Sequence, residues 1–206
     1  MEKPAFDHFR SFFFDKLSET WDSLGSPPSD AKIVNFLNRL NIESEATVVD
    51  LGTGTGLLIP YIFRYQPKQV IAIDLSEKML MKVEEKYKAK FGERLILLQA
   101  DIHNSDLPSQ SVQVVICNGA YPHFHDKELA LAEINRILQP GGVLAINHFS
   151  SKDRINSIHA ASSNEYIQRD LLGDVEQEAA KVKRAGFIVK TTIDNESEYC
   201  LVASKP

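Results

Sequence analysis

The chain has 206 residues, of which 43% are hydrophobic and 25% charged, so its composition is that of one globular domain, with room for a small cap. A formal net charge of −5 argues against a partner that is mainly phosphate backbone, since nucleic-acid-binding domains usually carry a basic excess. Residues 1–4 lack the apolar stretch of a signal peptide, and no run reaches the roughly 20 apolar residues of a membrane helix. We therefore expect a cytoplasmic protein with no membrane or nucleic-acid partner.

The first predicted element is a helix over residues 5–24, where aromatic side chains recur at three- and four-residue separations. We expect it to pack along one edge of the domain; a compatible interpretation makes it a lid over an active site. A Gly-Ser-Pro-Pro-Ser break follows, and Ser29 or Asp30 can cap the next helix. We therefore divide the chain into an N-terminal helical lid segment, residues 1–28, and a main domain, residues 29–206.

The main domain opens with a predicted strand over 47–51, where a β-branched and apolar run is typical of a strand buried on both faces. Three glycines follow at alternate positions: Gly52, Gly54 and Gly56. Because glycine has no Cβ, such a turn lets the backbone approach a ligand closely. The dinucleotide pattern G-x-G-x-x-G is absent, since Leu57 directly follows the third glycine. Asp50 would repel a diphosphate and favours a cationic ligand.

Two further predicted strands also end at acidic residues. The apolar run 70–73 ends at Asp74, close to the roughly 20-residue distance from the first glycine at which an acid binds ribose hydroxyls. The run 95–100 ends at Asp101, after a helix that Ser76 caps. Alternating strands and helices predict a parallel sheet, whose ligands bind beyond the carboxyl ends of the strands.

The second half of the chain continues this alternation. A predicted strand over 112–117 leads into a polar loop, residues 118–125, and Asp126 caps the helix that follows. The side chains of that helix expected to face the core are Leu129, Ala132, Ile134, Ile137 and Leu138. A Pro-Gly-Gly turn then ends the helix before a fifth strand over 143–146.

The closing segment is predicted to hold a helix over 175–185 and two strands, 187–189 and 199–203. Both cysteines, Cys117 and Cys200, lie in apolar strand-like runs. This placement indicates buried free thiols in a reducing compartment.

Together these segments resemble the class I S-adenosylmethionine-dependent methyltransferases. About half the chain carries the resemblance, in the stretches 48–56, 71–76, 99–108, 114–124 and 133–149. Its most diagnostic part is the Leu-x-Pro-Gly-Gly turn at 138–142. The resemblance implies an α/β, Rossmann-like, doubly wound sheet of seven mostly parallel strands, with helices on both faces, an antiparallel closing pair and an N-terminal helical cap. Members of the family often begin with a Phe-Asp…Trp-Asp segment, here Phe14-Asp15 and Trp21-Asp22, which favours the lid.

The resemblance also implies which residues bind S-adenosylmethionine. Asp50 and the glycine turn would hold the methionine part, Asp74 the ribose, and Asp101 with Ile102 the adenine. The full predicted set is Asp50, Gly52, Thr53, Gly54, Gly56, Asp74, Leu75, Met79, Asp101, Ile102 and Asn118. Asn118, at the end of the fourth strand, would face the methyl group.

The expected reaction is a direct in-line displacement, in which holding the reacting atoms in line supplies most of the catalysis. A positioned base helps when the acceptor carries a proton. The loops after the fourth and fifth strands supply three candidate catalytic residues, His123, Tyr121 and His148. The resemblance places residues 121–124 beside the methyl group, and we expect Tyr121 to orient the acceptor rather than deprotonate it. For each residue the alternative is a polar side chain satisfied by water or backbone.

Other functions stay open from the sequence. A protein that binds or senses the cofactor without turnover would use the same glycine turn. A nicotinamide-dependent oxidoreductase is disfavoured by Leu57 and Asp50. A metal site is also disfavoured, because its candidate ligands lack the spacing of a closed structural site, and we predict none. Those ligands would be His123, His125, His148 and Asp126.

The acceptor is expected to be a small molecule, and the protein a monomer or a homodimer. The loop Asn118-Gly119-Ala120-Tyr121 differs from the Asn-Pro-Pro-Tyr loop that, in the family, accompanies amide or base nitrogen acceptors. DNA and protein glutamine are therefore disfavoured as acceptors.

Overall fold

The computed structural model describes residues 6–206, and the sheet predicted from the sequence lies within them. Residues 1–5, which include the segment read as lacking a signal peptide and the first residue of the predicted N-terminal helix, lie outside the described part. The strands are β1 Thr47–Leu51, β2 Gln69–Asp74, β3 Leu95–Gln99, β4 Val112–Asn118, β5 Leu138–His148, β6 Ile188–Asp194 and β7 Tyr199–Ser204.

These strands form one seven-stranded sheet in the order β3-β2-β1-β4-β5-β7-β6. The first five strands in this order pair in parallel with one another, whereas β7 pairs antiparallel with both β5 and β6. Strand β1 lies inside the sheet and all five of its residues are buried, as its apolar sequence predicts. The predicted fold class is confirmed.

Helices cover both faces of the sheet. They are α1 His8–Leu17, α2 Asp30–Asn38, α3 Ile59–Ile62, α4 Glu77–Val83, α5 Ala89–Phe91, α6 Lys127–Ile137, α7 Lys152–Ala160, α8 Glu165–Gln168 and α9 Val175–Arg184. One buried apolar cluster joins α6 and α9 to the sheet, and a second joins α2, α3 and α4 to its other face. This two-sided burial is the doubly wound arrangement.

The helix caps follow the sequence. The side chains of Ser29, Ser76 and Asp126 accept hydrogen bonds from backbone N–H groups three residues further on, at the first turns of α2, α4 and α6. Each cap fixes where its helix begins, and Ser76 also places α4 directly after the strand end at Asp74. The predicted cap at Ser76 and that at Asp126 are confirmed, and Ser29 caps α2 rather than Asp30.

Helix α6 differs from the prediction in the face it presents to the core. Leu129 is 38% exposed and Ala132 is also exposed. The buried residues are Ala130, Leu131, Ile134 and Ile137, which recur at the three- and four-residue spacing of one helical face. The prediction is therefore confirmed for Ile134, Ile137 and Leu138 and is wrong for Leu129 and Ala132. The helix ends at Ile137, and β5 starts at Leu138, because Leu138 already pairs with Val112 before the Pro-Gly-Gly irregularity.

The N-terminal helix is shorter than predicted and is followed by a 3₁₀ turn, Trp21–Ser23. Phe9 and Phe12 project outward and are 64% and 61% exposed, so only part of the aromatic content is buried. Phe9 stacks on Tyr166 of α8, with ring centroids 4.7 Å apart.

Across residues 6–206, every helix is too short or too polar to traverse a lipid bilayer.

Candidate active site

A cavity of about 1040 Å³ opens at the carboxyl ends of β1, β2, β3, β4 and β5. The predicted cofactor residues that line it are Gly52, Thr53, Gly54, Asp74, Leu75, Met79, Asp101, Ile102 and Asn118. His123 and His148 also line it, together with Phe14 and Trp21 from the N-terminal segment. Asp50, Gly56 and Tyr121 stand outside the lining. The sheet therefore brings most of the predicted residues to one place, as ligand sites of open α/β sheets require.

The glycine turn has a backbone that side chains other than glycine rarely adopt. Gly52, Gly54 and Gly56 have φ of +69°, +54° and +87°. A Cβ on Gly52 would lie 2.3 Å from the Cβ of Ala120, so the turn also packs tightly against the loop after β4. A Cβ on Gly56 would lie 2.8 Å from the Tyr87 ring. Gly56 is therefore a packing position, which explains why it does not reach the cavity.

Asp74 sits at the tip of β2 with both carboxylate oxygens hydrogen-bonded to the backbone. Oδ2 accepts from the N–H of Gly54 at 2.8 Å, and Oδ1 accepts from the N–H of Ser76 at 2.9 Å. Burial raises the pKa of Asp74 to about 6, although these bonds oppose the shift. A carboxylate can accept about four hydrogen bonds, so each oxygen retains capacity for a ligand hydroxyl.

Asp50 is buried beneath the turn. This position differs from the predicted one, in which Asp50 directly contacts a ligand. Its Oδ2 accepts a hydrogen bond from the Thr53 hydroxyl at 2.7 Å. Burial, followed by the nearby charge of Asp74, raises the pKa of Asp50 to about 7. The contacts of Asp50 therefore support the turn from below.

Asp101, at the tip of β3, joins a cluster of polar side chains. Its Oδ1 is hydrogen-bonded to Nδ1 of His103, and its Oδ2 accepts from the backbone N–H of Asp7 at 3.2 Å. Burial alone would raise the pKa of Asp101, but the hydrogen bonds from His103 hold it below its ordinary value. The charged form of this carboxylate is thus favoured at neutral pH.

Asp101, His103 and His125 also bring potential ligand atoms within 4.8 Å of one another. This set differs from the metal ligands considered from the sequence. Both ring nitrogens of His103 are already engaged, Nδ1 with Asp101 and Nε2 with the backbone N–H of Asp126 at 3.3 Å. Hydrogen bonds between its members and to the backbone therefore account for the contacts of this cluster. That the protein binds no metal stays a prediction.

The three predicted catalytic residues occupy different environments. His123 lies at the cavity wall, and its Nδ1 is 2.8 Å from Oδ2 of Asp170. His148 is buried at the end of β5, and its Nε2 has no hydrogen-bond partner among the described residues. Burial lowers the pKa of both imidazoles, that of His148 to about 3. Both histidines are therefore neutral at pH 7.

Tyr121 points away from the cavity. Its ring is fully buried, and its hydroxyl donates to Oε2 of Glu178 at 2.8 Å. Burial, and next the charge of Glu178, raises the pKa of Tyr121 far above its ordinary value. The geometry gives Tyr121 a packing and hydrogen-bonding position rather than the acceptor-orienting one predicted. Nothing in the Tyr-Pro-His sequence indicated that the Tyr121 ring would point into the core and the His123 ring towards the cavity.

The N-terminal segment contributes to the cavity wall and is held there by contacts that the sequence did not predict individually. Ser76 donates its hydroxyl to Asp15 at 2.5 Å, and Ser11 donates to the carbonyl of Leu75 at 3.0 Å. Asp22 accepts from the Thr55 hydroxyl and from Nζ of Lys86, at 2.5 Å and 2.6 Å. In the sequence, the Phe14-Asp15 and Trp21-Asp22 pairs were the feature that indicated these contacts, and both pairs take part in them.

Residues 49–146 match the family described as "Methyltransferase domain". Together with the glycine turn and the acid-tipped strands, this match supports a class I S-adenosylmethionine-dependent methyltransferase. It is 32% identical to an uncharacterized methyltransferase of Schizosaccharomyces pombe, over 58% of this chain and 46% of the relative. It is 28% identical to a malonyl-(acyl-carrier protein) O-methyltransferase of a Methylovorus species, over 84% of this chain and 61% of the relative. The chain spans about half the length of most curated relatives it matches.

Solved structures share the fold at low sequence identity. A S-adenosylmethionine-dependent methyltransferase from Aquifex aeolicus is similar with a TM-score of 0.72 and 18% identity, over 93% of this chain and 98% of that one. The cyclase SpnF is similar with a TM-score of 0.79 and 14% identity, over 96% of both chains. Because a cyclase has this fold, the reaction has to be argued from the site.

Proposed function

We propose that this protein transfers a methyl group from S-adenosylmethionine to a small-molecule acceptor. The observation that carries the proposal is one cavity that holds the glycine turn, two acid-tipped strands and two neutral histidines. The family supplies the cofactor, and the residues at the cavity wall supply the acceptor chemistry. The location in the cytoplasm and the monomeric or dimeric state stay predictions.

The residues present fit the cofactor. Gly52 and Gly54 line the cavity at positive φ, so their backbone, without side chains, forms part of the wall that a ligand would meet. Asp74 has spare acceptor capacity for a ribose diol, and Asp101 lies at the next strand tip beside Ile102. The apolar side chains of Met79 and Ile102 supply a lining suited to the flat adenine ring. We infer that these residues hold the cofactor as the family resemblance implies.

When bound, the cofactor supplies a methyl carbon attached to a positively charged sulfur, which an acceptor can displace in line. The chain's own contribution is to orient the acceptor, exclude water and receive a proton. His148, with a pKa near 3, is a poor proton acceptor at pH 7, because a general base works best with a pKa near the working pH. Its buried Nε2 has no partner among the described residues, so a hydrogen bond with an acceptor that reaches it would satisfy this atom. We therefore assign the proton to His123 and the orienting contact to His148.

The wall around these histidines favours an acceptor with an apolar part. Phe14, Phe124, Phe149 and Ile155 line the cavity there. Lys86, a cation at the wall, is already paired with Asp22. Lys32, which also lines the cavity, bonds the carbonyl of Ser197 and leaves a cation at the wall without a carboxylate partner among the described residues. A hydroxyl, amine or thiol on an apolar skeleton fits these surroundings.

We also propose that residues 1–28 act as a lid. Trp21 lies above the glycine turn, with its Nε1 3.4 Å from the position a Cβ on Gly54 would occupy. Phe14 and Trp21 pack edge to face, with centroids 5.8 Å apart, and both line the cavity. Such a cover excludes water from the reacting atoms, which strengthens the electrostatic interactions inside.

Two measurements test the proposal. Calorimetry should detect binding of S-adenosylmethionine and of its demethylated product, and Asp74→Asn should weaken both by at least about 10-fold, since one charge-assisted hydrogen bond contributes roughly 1.5–3 kcal/mol. Glu43→Gln, which changes an exposed acid outside the cavity, is the matched control and should leave affinity unchanged.

Incubation with methyl-labelled cofactor and fractionated metabolites then tests turnover. A labelled small product supports methyl transfer. Tight binding without any product instead supports the alternative, a cofactor-binding or sensing protein. Absence of binding to either form of the cofactor would overturn both.

A further inference from the structure

A buried carboxylate lies behind His123. Asp170, between α8 and α9, is only 4% exposed and is not part of the cavity wall. Its Oδ2 is 2.8 Å from Nδ1 of His123, which does line the cavity. The same carboxylate accepts from Arg10 of α1, with Nε to Oδ2 at 2.8 Å and Nη2 to Oδ1 at 2.5 Å. One carboxylate thus joins the histidine at the cavity wall to the N-terminal helix.

The charge of Asp170 decides where the proton of His123 sits. Burial alone would raise the pKa of Asp170, but the hydrogen bonds from Arg10 and His123 hold it below its ordinary value. The carboxylate is therefore ionised at neutral pH and can only accept hydrogen bonds. A neutral imidazole carries one N–H, so Nδ1 has to be the protonated nitrogen. Nε2, which has no partner among the described residues, is left with its lone pair.

The other charged and titratable groups around His123 oppose a second proton on the ring in the resting protein. They are Arg10 on α1, His148 on β5 and His159 on α7, whose ring centroid lies 4.8 Å from that of His123. His148 lacks an equivalent carboxylate among the described residues, so its tautomer is not fixed in this way. The two histidines at the cavity wall are therefore not equivalent.

We propose that Asp170 is a positioning residue that fixes His123 with Nε2 available to the acceptor, and that Arg10 makes this arrangement depend on docking of α1. The inference rests on the proposed function for its chemical meaning. In the step, the acceptor atom's lone pair forms the new bond to the methyl carbon and the carbon–sulfur electron pair stays with sulfur. The acceptor's proton moves to Nε2 of His123, and Asp170 stabilises the imidazolium.

The first test needs no cofactor or activity. Nitrogen NMR of the histidine-labelled protein at pH 7.5 should show the His123 ring in the Nδ1–H tautomer, identified as the signal that is missing in His123→Gln. His103 and His159, whose Nδ1 atoms face Asp101 and the carbonyl of Asp170, should give further Nδ1–H signals that persist in that variant. Asp170→Asn should give a mixture of tautomers, and Asp170→Glu should restore the Nδ1–H form. If the wild-type signal is instead the Nε2–H tautomer or an imidazolium, the proposal is overturned even when Asp170→Asn does not fold.

The second test uses the acceptor identified by the labelling experiment. Asp170→Asn should lower kcat by about 100-fold, within the 10²–10⁴-fold range of general base catalysis, with the cofactor affinity changed less than about 2-fold. Arg10→Gln, which removes the link between Asp170 and α1, should give a partial mixture of tautomers and lower kcat less than Asp170→Asn does. Asp174→Asn, which removes an exposed partner of Lys152 in the same segment, is the matched control and should match wild type.

The two tests separate the two claims. An unchanged kcat in Asp170→Asn would refute the positioning role while leaving methyl transfer intact. A protein that methylates nothing would refute the proposed function, whereas the tautomer measurement would still report whether Asp170 orients His123.

Discussion

A Cβ added to Gly52 would lie 2.3 Å from the Cβ of Ala120, so the turn after β1 and the loop after β4 touch where only a hydrogen atom fits. Gly52 also has a φ of +69°, which a residue with a side chain rarely adopts. A side chain at position 52 would therefore destabilise the protein in two ways, through the clash with Ala120 and through the backbone conformation. The contact links the cofactor side of the cavity to the loop that carries His123.

Gly52→Ala should destabilise the protein and weaken cofactor binding. We expect the free energy of unfolding in urea to fall by roughly 1–2 kcal/mol from the backbone conformation, with a further loss from the clash. Gly141→Ala is the matched control, because Gly141 has a φ of +80° and nothing within 4 Å of its would-be Cβ. Equal losses in the two variants would show that the contact with Ala120 is unimportant.

The single tryptophan should report cofactor binding directly. Trp21 is the only tryptophan in the sequence, and it lines the cavity above Gly54. Adding S-adenosylhomocysteine should therefore change the fluorescence of the protein in a saturable way. The change should disappear in Trp21→Phe, and in Asp74→Asn it should occur at higher ligand concentration. A calorimetric binding signal without any fluorescence change would contradict the placement of the lid.

Asp50→Asn should stabilise the ligand-free protein, and increasingly so as the pH rises. Burial raises the pKa of Asp50 from 3.8 to about 7, so the folded protein binds this proton more tightly than the unfolded chain. Stability from this group is fully present below about pH 4 and is lost as the pH rises through 7. The variant should match wild type near pH 4 and exceed it by up to about 4 kcal/mol at pH 8.

Glu133→Gln gives the control of opposite sign for that experiment. Burial alone would raise the pKa of Glu133, but hydrogen bonds from Arg136 and Ser105 hold it below its ordinary value. Its contribution is therefore present at neutral pH and is lost as the pH falls, so the variant should be less stable than wild type at pH 7 and approach it in acid. Urea unfolding at several pH values measures both slopes. A flat difference between Asp50→Asn and wild type across that range would refute the buried, readily protonated carboxyl.

Tyr121→Phe separates a packing role from a catalytic one. Removing the hydroxyl leaves Glu178 buried with one donor fewer, which should cost about 1–3 kcal/mol of stability. Below the unfolding temperature, kcat should stay within about 3-fold of wild type. Tyr65→Phe, which removes an exposed hydroxyl bonded to Asn38, should cost little. A large loss of kcat in a stable Tyr121→Phe protein would restore the catalytic role.

The sequence predicted the sheet and the glycine turn because their signals are local. The buried run 47–51 and the glycines after it dictate strand and turn whatever the rest of the chain does. The first turn of α6 was assigned to the wrong face because Leu129 and Leu131 are equally apolar, and only the position of the sheet decides which of them faces it. Local patterns thus fix the kind of element better than its orientation.

The polar contacts behind the cavity wall were beyond the sequence. Arg10 and Asp170 are 160 positions apart, and neither belongs to a spaced motif. Asp50 was expected at the ligand, yet a hydrogen bond to Thr53 holds it beneath the turn. Such contacts depend on three-dimensional packing of single side chains, for which a linear pattern carries no signal.

The distance in sequence between Arg10 and Asp170 also sets an order of events during synthesis. The parallel pairs among β1 to β4 involve residues up to 118, whereas α1 gains its carboxylate partner only once position 170 has emerged from the ribosome. Contacts between distant segments form late, since the intervening chain must first be ordered. In the nascent protein α1 should therefore first be held by its earlier partners, Leu75 and Ser76, while Arg10 still lacks Asp170, and pulsed hydrogen exchange on stalled chains should find the α1 amides gaining protection when Asp170 becomes available.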